Sequence, residues 1–327
     1  MKKIIVYCYV LTTFLCLAIS INASLAFAQT QIYNPYEDVD WERCGHYKAN
    51  LHSHTTNSDG KLDPDQVIAE YYNRDYGILS ITDHNHVTWP WSDYTKTDSV
   101  GMLSVQGNEI SNNHHMLSYF TDYKSSLTNK KEVLTEIGEK GGLVVMAHPG
   151  RYNASAGWYA ELYEKHPNLI GFEAINQGNR YSDDLKLWDK VLSILPADNL
   201  VWGFSNDDMH KHEHLGRDWN VFLLTELSEQ NLKNAMIKGQ FYFSSISTVD
   251  NPVGLPPVIN SVDVDREDNM VSIQAENYDK VVWISNGKII HIGESINYKN
   301  AKGLQNYLRA EVIGQGGVSY TQPIGFK

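Results

Sequence analysis

Residues 141–150 read GGLVVMAHPG. Two glycines stop whatever precedes them, an unbroken apolar run follows, and a histidine stands where the run ends. Such a run, with no polar residue between the apolar ones, marks a strand covered on both faces, as in parallel sheets flanked by helices. The stretch before it, Leu127–Glu139, reads as a helix. Helix, glycine stop, buried strand and strand-end histidine therefore follow one another.

The same order recurs outward. Upstream, His46–Leu51 reads as a strand. Asp63-Pro64-Asp65-Gln66 then opens a helix, with Asp63 as N-cap, Pro64 at the first helical position and Gln66 completing a capping box. That helix is expected to reach Asp75, with Gly77 as its stop. Ile78–Thr82, Met102–Glu109 and Met116–Tyr119 are further strands. Downstream, Tyr159–Lys165, Leu169–Ala174, Asp183–Leu195, Leu200–Phe204, Asn220–Leu224 and Ser228–Lys238 continue the pattern. Strands alternating with helices imply a parallel sheet or barrel. About seven β units within roughly 200 residues fit a distorted β/α barrel, whose functional groups gather at the C-terminal ends of the strands.

Beyond Phe243 no helical period survives. Val258–Val264, Met270–Asn277, Lys280–Ser285, Lys288–Ile292, Leu308–Ile313 and Ser319–Pro323 are short β-branched runs. Asn286-Gly287 between two of them is a two-residue hairpin signal. The expected second unit is a small antiparallel β-sandwich, with Asn251-Pro252 and Leu255-Pro256-Pro257 as the linker. The domain reading is a leader over 1–28, a lead-in over 29–45, an α/β barrel over 46–245 and the sandwich over 246–327.

The leader rests on Lys2-Lys3, an apolar run from Ile4 to about Ile21, and Ala26-Phe27-Ala28 before Gln29. That is the layout of a secretory signal peptide, so the protein is expected in the periplasm or the medium, with no stable membrane insertion after cleavage. Cys8 and Cys16 leave with the leader, and Cys44 alone excludes an intramolecular disulfide in what remains. With 27 Lys+Arg against 39 Asp+Glu, the 327-residue chain carries a net charge of −12. It lacks the basic footprint of a protein that grips long nucleic acid, unless bound metal ions supply the positive charge.

Of the 13 histidines, only His291 lies in the second unit. His52 and His54 stand two apart in LHSHTTNSDG, a spacing that puts both on one face of an extended strand, and Asp59 follows in the adjoining loop. His84 follows the strand SIT, Glu109 ends VQGNEI, His115 starts HMLSYF, His148 ends LVVMAHPG, and Asp208 and His210 stand in GFSNDDMH. These imidazoles and carboxylates converge on one end of a barrel. Burying so many polar groups together is costly unless metals or hydrogen bonds satisfy them. Mixed nitrogen and oxygen donors suit Zn, Mn or Fe, and nine donors with one shared carboxylate suffice for up to three ions. Asp83 reads as an outer partner of a metal-bound histidine.

These motifs, LHSHTTNSDG, SITDHN, Glu109, HMLSYF, MAHPG and DDMH, resemble in order and spacing those of the polymerase and histidinol phosphatase (PHP) family, over roughly residues 46–245. The resemblance implies a distorted seven-stranded β/α barrel holding two to three divalent ions. By that likeness His52, His54, Asp208 and a bridging Glu109 hold the first ion. Glu109, His115 and His148 hold the second, and Asp59, His84 and His210 the third. His115, rather than its neighbour His114, matches the family's histidine-x-leucine strand, and Asp208, rather than Asp207, gives aspartate-x-histidine.

The implied activity is hydrolysis of a small organophosphate, mono- or diester, by a hydroxide that bridges metal ions. Arg151 and Arg217 are candidates to neutralise phosphate, and His86 to protonate the leaving group. Trp89, Trp91 and Tyr94 either line a pocket or cover the rim. Alternatives are a nuclease acting on nucleotides or short 3′ ends, an amide or lactone hydrolase, and a glycan- or surface-binding protein with an inactive barrel that binds through residues such as Trp283.

Overall fold

In the computed structural model, residues 30–94, 101–112, 114–246 and 253–327 are described. The leader 1–28 and the linker pair Asn251-Pro252 lie outside them. The first strands and helix are β1 (Ile32–Tyr33), β2 (Gly45–Asn50), α1 (Pro64–Tyr72), β3 (Ile78–Leu79) and β4 (Leu103–Ser104). Next come β5 (Gly107–Ile110), β6 (Met116–Tyr119), α2 (Lys130–Glu139), β7 (Leu143–Met146), α3 (Ala156–Lys165) and β8 (Leu169–Asn176). They are followed by α4 (Asp184–Ile194), β9 (Trp202–Asn206), β10 (Asp218–Leu224), α5 (Glu229–Lys238) and β11 (Phe241–Ile246). The remainder is all strand: β12 (Val258–Asp265), β13 (Met270–Glu276), β14 (Lys280–Ser285), β15 (Lys288–Ile292), β16 (Ser295–Asn297), β17 (Tyr307–Gly314), β18 (Gly317–Tyr320) and β19 (Ile324–Phe326). Among the described residues no helix is long and apolar enough to cross a membrane.

α1 begins as its capping box dictates, with Gln66 accepting from the Asp63 amide at 2.9 Å. It ends at Tyr72, short of the expected Asp75. The expected strand Met102–Glu109 is two strands: β4 pairs in parallel with β3, whereas β5 pairs antiparallel with β6. The break lets the chain leave one sheet and enter another. β7, β8 and β9 then run parallel, but β6–β7 and β2–β10 are antiparallel. The fold is mixed α/β rather than purely parallel: β6–β7 and β10–β11 are antiparallel although α2 and α5 connect them.

The expected distorted seven-stranded barrel does not form one continuous ladder among the described residues. One five-stranded sheet runs β5-β6-β7-β8-β9, and an eleven-stranded sheet contains β4-β3-β2-β10-β11. Buried asparagines stitch the seam between them. Asn220 Nδ2 donates to the Ser205 carbonyl (2.9 Å) and to Asn206 Oδ1 (3.0 Å), Asn206 Oδ1 accepts from the Leu51 amide (3.0 Å), and Asn50 Oδ1 from the Asp207 amide (2.9 Å). Side-chain amides thus do the work of a missing backbone ladder and leave few buried polar groups unpaired.

The C-terminal strands do not form a separate two-sheet body. β18 pairs with β11, so β14, β15, β17, β18 and β19 extend the sheet that contains β2 and β10. Only β12-β13-β16 form their own sheet, and its Ile259, Val262, Val271, Ile273 and Ile296 share one buried cluster with Val281, Trp283, Leu308, Ala310 and Val312. Asn286 and Gly287 both have positive φ (50° and 64°) in the two-residue turn joining β14 to β15, as that hairpin geometry requires. Trp283 is 1% exposed and its indole donates to the Gly293 carbonyl at 2.8 Å, so it is core and not a surface-binding residue.

A candidate metal centre

His52, Ser53 and His54 continue β2 in extended form beside Met209, whose carbonyl accepts from the His54 amide at 2.7 Å. Alternation sends both imidazoles to one side, while the Ser53 hydroxyl on the other donates to the Ser80 carbonyl at 3.0 Å. The following turn returns at Gly60, whose amide donates to the Thr55 carbonyl; a Cβ there would lie 2.4 Å from the His54 carbonyl oxygen. His84 and Glu109 face each other across a parallel bridge. His148 and Asp208 end β7 and β9 with φ of 28° and 43°, a conformation non-glycine residues adopt at a cost of about 1–3 kcal/mol and keep where surrounding structure enforces it.

Glu109 is the hub. Its Oε1 lies 2.7 Å from His115 Nδ1 and 3.0 Å from His148 Nε2. Its Oε2 lies 2.9 Å from His84 Nδ1, 3.3 Å from His54 Nε2 and 3.4 Å from His52 Nε2. Asp208 Oδ1 is 3.2 Å from Nε2 of both His52 and His54. Asp59 Oδ1 is 3.3 Å from His210 Nε2 and 3.6 Å from His84 Nε2. All nine residues singled out in the sequence are brought together. Four sets have donor atoms within 4.8 Å of one another: His54/Asp59/His84/His210, His52/Glu109/His148, His52/His54/Asp208 and His84/Glu109/His115.

Protons alone cannot satisfy this arrangement. His52 Nε2 and His54 Nε2 are 3.1 Å apart and share at most one hydrogen. Glu109 Oε2, Asp208 Oδ1 and His148 Nδ1 are buried without a hydrogen-bond partner among the described residues. Burial pushes the Glu109 carboxyl upward, yet His52, His115 and His148 outweigh it and hold the group well below the usual carboxylate range. Burial pushes His52 down, but Asp208, Glu173 and Glu109 raise it well above its ordinary value. The carboxylates that draw a proton to His52 would draw a divalent cation to the same place. Imidazole nitrogens and carboxylate oxygens, converging and mutually unsatisfied, fit divalent metal ions.

The structure separates the two ambiguous neighbours. His114 turns away and packs between Tyr152 and Trp158, with ring centroids 4.3 and 4.7 Å distant. Asp207 accepts from the Tyr71 hydroxyl (2.9 Å) and from the amides of Gly216 (2.8 Å), Arg217 (2.8 Å) and Asp218 (3.0 Å), a wholly architectural set. Among the described residues the Asp83 carboxylate bonds to no imidazole. It accepts from the Thr55 amide and from the hydroxyls of Thr55, Ser58 and Thr88, all within 2.7 Å, and so ties the His-containing loop to the segment after β3.

The outer partner is instead Glu173, which the sequence reading passed over. Its Oε1 is 2.9 Å from His52 Nδ1, and its Oε2 accepts from the His148 amide at 2.8 Å. Asn176 and Asn206 satisfy the remaining positions at 3.0 and 2.9 Å. The signal was available: a lone carboxylate inside the apolar strand LIGFEAIN has no reason to be buried without a partner.

Arg151 sits on the turn after His148, exposed; burial lowers the His115 imidazole, and the charges of His148 and Arg151 add smaller contributions. Arg217 is beside His214, whose imidazole is lowered to about 4 by burial and then by Arg217. Among the described residues the His86 side chain makes no hydrogen bond or ion pair with the cluster; its amide donates to the Asp83 carbonyl at 3.2 Å. Trp91 is buried in the core, and Trp89 lines a recess with Gln106, Asp122 and Lys140.

No family model matches the chain, and no curated protein matches it. Among solved structures, it is similar to a two-domain protein from Bacteroides vulgatus containing a predicted PHP-like metal-dependent phosphoesterase. Identity is 15%, the match covers 88% of this chain and 96% of that one, and the TM-score is 0.51. Looser likenesses are to an amidohydrolase from Chromobacterium violaceum (16% identity, 50% and 88% covered, TM-score 0.39) and to the lesion-specific endonuclease Q of Pyrococcus furiosus (16%, 59% and 56%, 0.41). The fold is thus a PHP-like one, extended by a C-terminal set of strands.

Proposed function

We propose that this protein is a metal-dependent hydrolase of phosphoester bonds and a member of the PHP family. The observation that carries the reading is the Glu109 carboxylate, whose two oxygens lie 2.7–3.4 Å from five imidazole nitrogens. Two to three Mn, Zn or Fe ions held there would supply an acidified water and neutralise phosphoryl oxygens.

The chain's own residues prepare that chemistry. Glu109 joins the donor sets, so two positions share one charge. Glu173 holds Nδ1 of His52 and thereby aims Nε2 at the cluster. Arg151, on the rim beside His115, offers a fixed positive charge to an anionic substrate. The substrate is a small organophosphate; with the expected export signal, it is one met outside the cytoplasm.

The test pairs composition with turnover. The purified protein should hold two to three metal ions by elemental analysis and hydrolyse chromogenic phosphate mono- or diesters when supplied with Mn or Zn. Glu109→Gln should lose metal and lower turnover by at least about 100-fold. A variant with full metal content and full activity would refute the reading.

A further inference from the structure

The loop after β8, residues 177–181, is built with unusual care. Gln177, Gly178 and Asn179 have successive φ values of 48°, 68° and 63°, a run of left-handed residues that costs free energy and persists only when pinned. Four contacts pin it. Gln177 Nε2 donates to the Asp208 carbonyl (2.9 Å) and to His214 Nδ1 (2.8 Å). The Gly178 amide donates to the buried Asp218 carboxylate, and the Arg180 amide to the Asn176 carbonyl at 2.8 Å. The loop is therefore fastened directly to the backbone of Asp208, one of the cluster's own residues.

What this loop presents is a cation on an aromatic ring. The Arg180 guanidinium lies 5.1 Å from the centre of the Tyr181 ring, and that ring is 5.6 Å from the His148 imidazole. The turn after β7 presents the same pairing. Arg151 lies 5.9 Å from the Tyr152 ring, and Tyr152 is 6.0 Å from both His115 and His148. The Tyr152 hydroxyl accepts from the His115 amide at 3.1 Å, which fixes its ring. Two arginine–tyrosine pairs from two consecutive strand-end loops thus flank one edge of the cluster. Both arginines are exposed and neither forms an ion pair with a carboxylate among the described residues, in a chain of net charge −12.

We infer that these two pairs hold the substrate between them, and that its non-reacting part is flat and itself anionic: an aryl phosphoester bearing a second negative charge. Arg180 is assigned to the second charge, Tyr181 to the ring face, and Arg151 to the phosphoryl group nearer the metal donors. An uncharged alkyl leaving group would use neither the second guanidinium nor the ring. This inference rests on the phosphoester reading for the reaction, but not for the binding.

The experiment compares 3-carboxyphenyl phosphate, phenyl phosphate and glycerol phosphate, in wild type, Arg180→Gln and Tyr181→Leu. Turnover is followed on the metal-loaded protein, and calorimetric binding on chelator-treated protein. Near-UV circular dichroism checks that the variants fold. Wild type should favour the carboxylated ester over phenyl phosphate by roughly tenfold or more, in affinity and in kcat/KM, through KM. Arg180→Gln should abolish that preference, bringing affinity and kcat/KM for the carboxylated ester down to those of phenyl phosphate measured on the same variant. Tyr181→Leu should remove the preference for aryl over glycerol esters. Equal affinity for the charged and uncharged aryl esters, or a preference that survives Arg180→Gln, would overturn the inference while turnover itself kept the hydrolase. Binding preference without turnover of any ester would do the reverse, keeping the anionic aryl site and overturning the hydrolase.

Discussion

Glu173 shows what a single residue contributes that its neighbours in sequence conceal. It stands fully buried in β8 and contacts His52, the His148 amide, Asn176 and Asn206 at once. Its charge both orients an imidazole and makes that imidazole a better donor. Glu173→Gln keeps the volume and two of the amide contacts but removes the charge. Metal affinity, measured by competition with a chromogenic chelator, should fall about 10–100-fold while the circular dichroism spectrum is unchanged. Unchanged affinity would reduce Glu173 to an architectural residue. The nine cluster residues, by contrast, were legible as strand-end histidines and carboxylates. Glu173 was signalled only as a lone carboxylate in an apolar strand, and its partner His52 could not be named until the strands were paired.

At the scale of elements, the turn carrying His148 and Arg151 is held from α4. Asp184, the first residue of α4, accepts from the Gly150 amide, while its Oδ2 is buried without a partner among the described residues. Burial, Glu173 and Asp183 push its carboxyl up to about 8 against the pull of the Gly150 amide. The folded state therefore keeps a proton that the unfolded chain has released, so Asp184's stabilising contribution is complete at acidic pH. It declines as pH rises from about 4 through about 8. Each unit of displacement is worth about 1.4 kcal/mol, so the decline should reach a few kcal/mol. Asp184→Asn mimics the protonated acid and should flatten that part of the profile, raising the urea midpoint at pH 8 more than at pH 5. An equal shift at both values would exclude the titration. The helix itself was expected from Asp183 on, but its grip on the turn after β7 joins residues 34 apart in sequence and has no local signal.

For the whole molecule, the largest departure from the sequence reading is the continuity between the sheet that contains β2 and β10 and the C-terminal strands. Beyond the β11–β18 ladder, Arg309 of β17 makes a bidentate pair with Asp189 of α4, at 2.8 and 2.7 Å, and donates to Glu311 at 2.8 Å. The Tyr307 hydroxyl donates to Asp189 at 2.7 Å. Gln322 brackets Gly203 of β9, accepting from its amide and donating to its carbonyl, both at 2.8 Å. We propose that residues 31–327 unfold as one cooperative unit. Tryptophan fluorescence and far-UV circular dichroism should give a single coincident urea transition. Asp189→Ala, which leaves the buried guanidinium with Glu311 as its one carboxylate partner among the described residues, should lower stability by about 3 kcal/mol in that same transition. Two separated transitions would restore independent domains.

The sequence by itself determined the alternation of strand and helix, the N-terminal cap of α1, the Asn286-Gly287 hairpin and the strand-end positions of the nine donor residues. These depend on local periodicity, on backbone conformations that few residues adopt, and on the two-residue repeat that puts His52 beside His54. Only the tertiary structure decided which of His114 and His115, or Asp207 and Asp208, faces the cluster, that Glu173 and not Asp83 supports it, and that the last strands join the sheet of β2, β10 and β11. Each of those outcomes is a choice among partners distant in the chain. It is set by which buried polar groups can satisfy one another, and that is fixed only when the strands are paired.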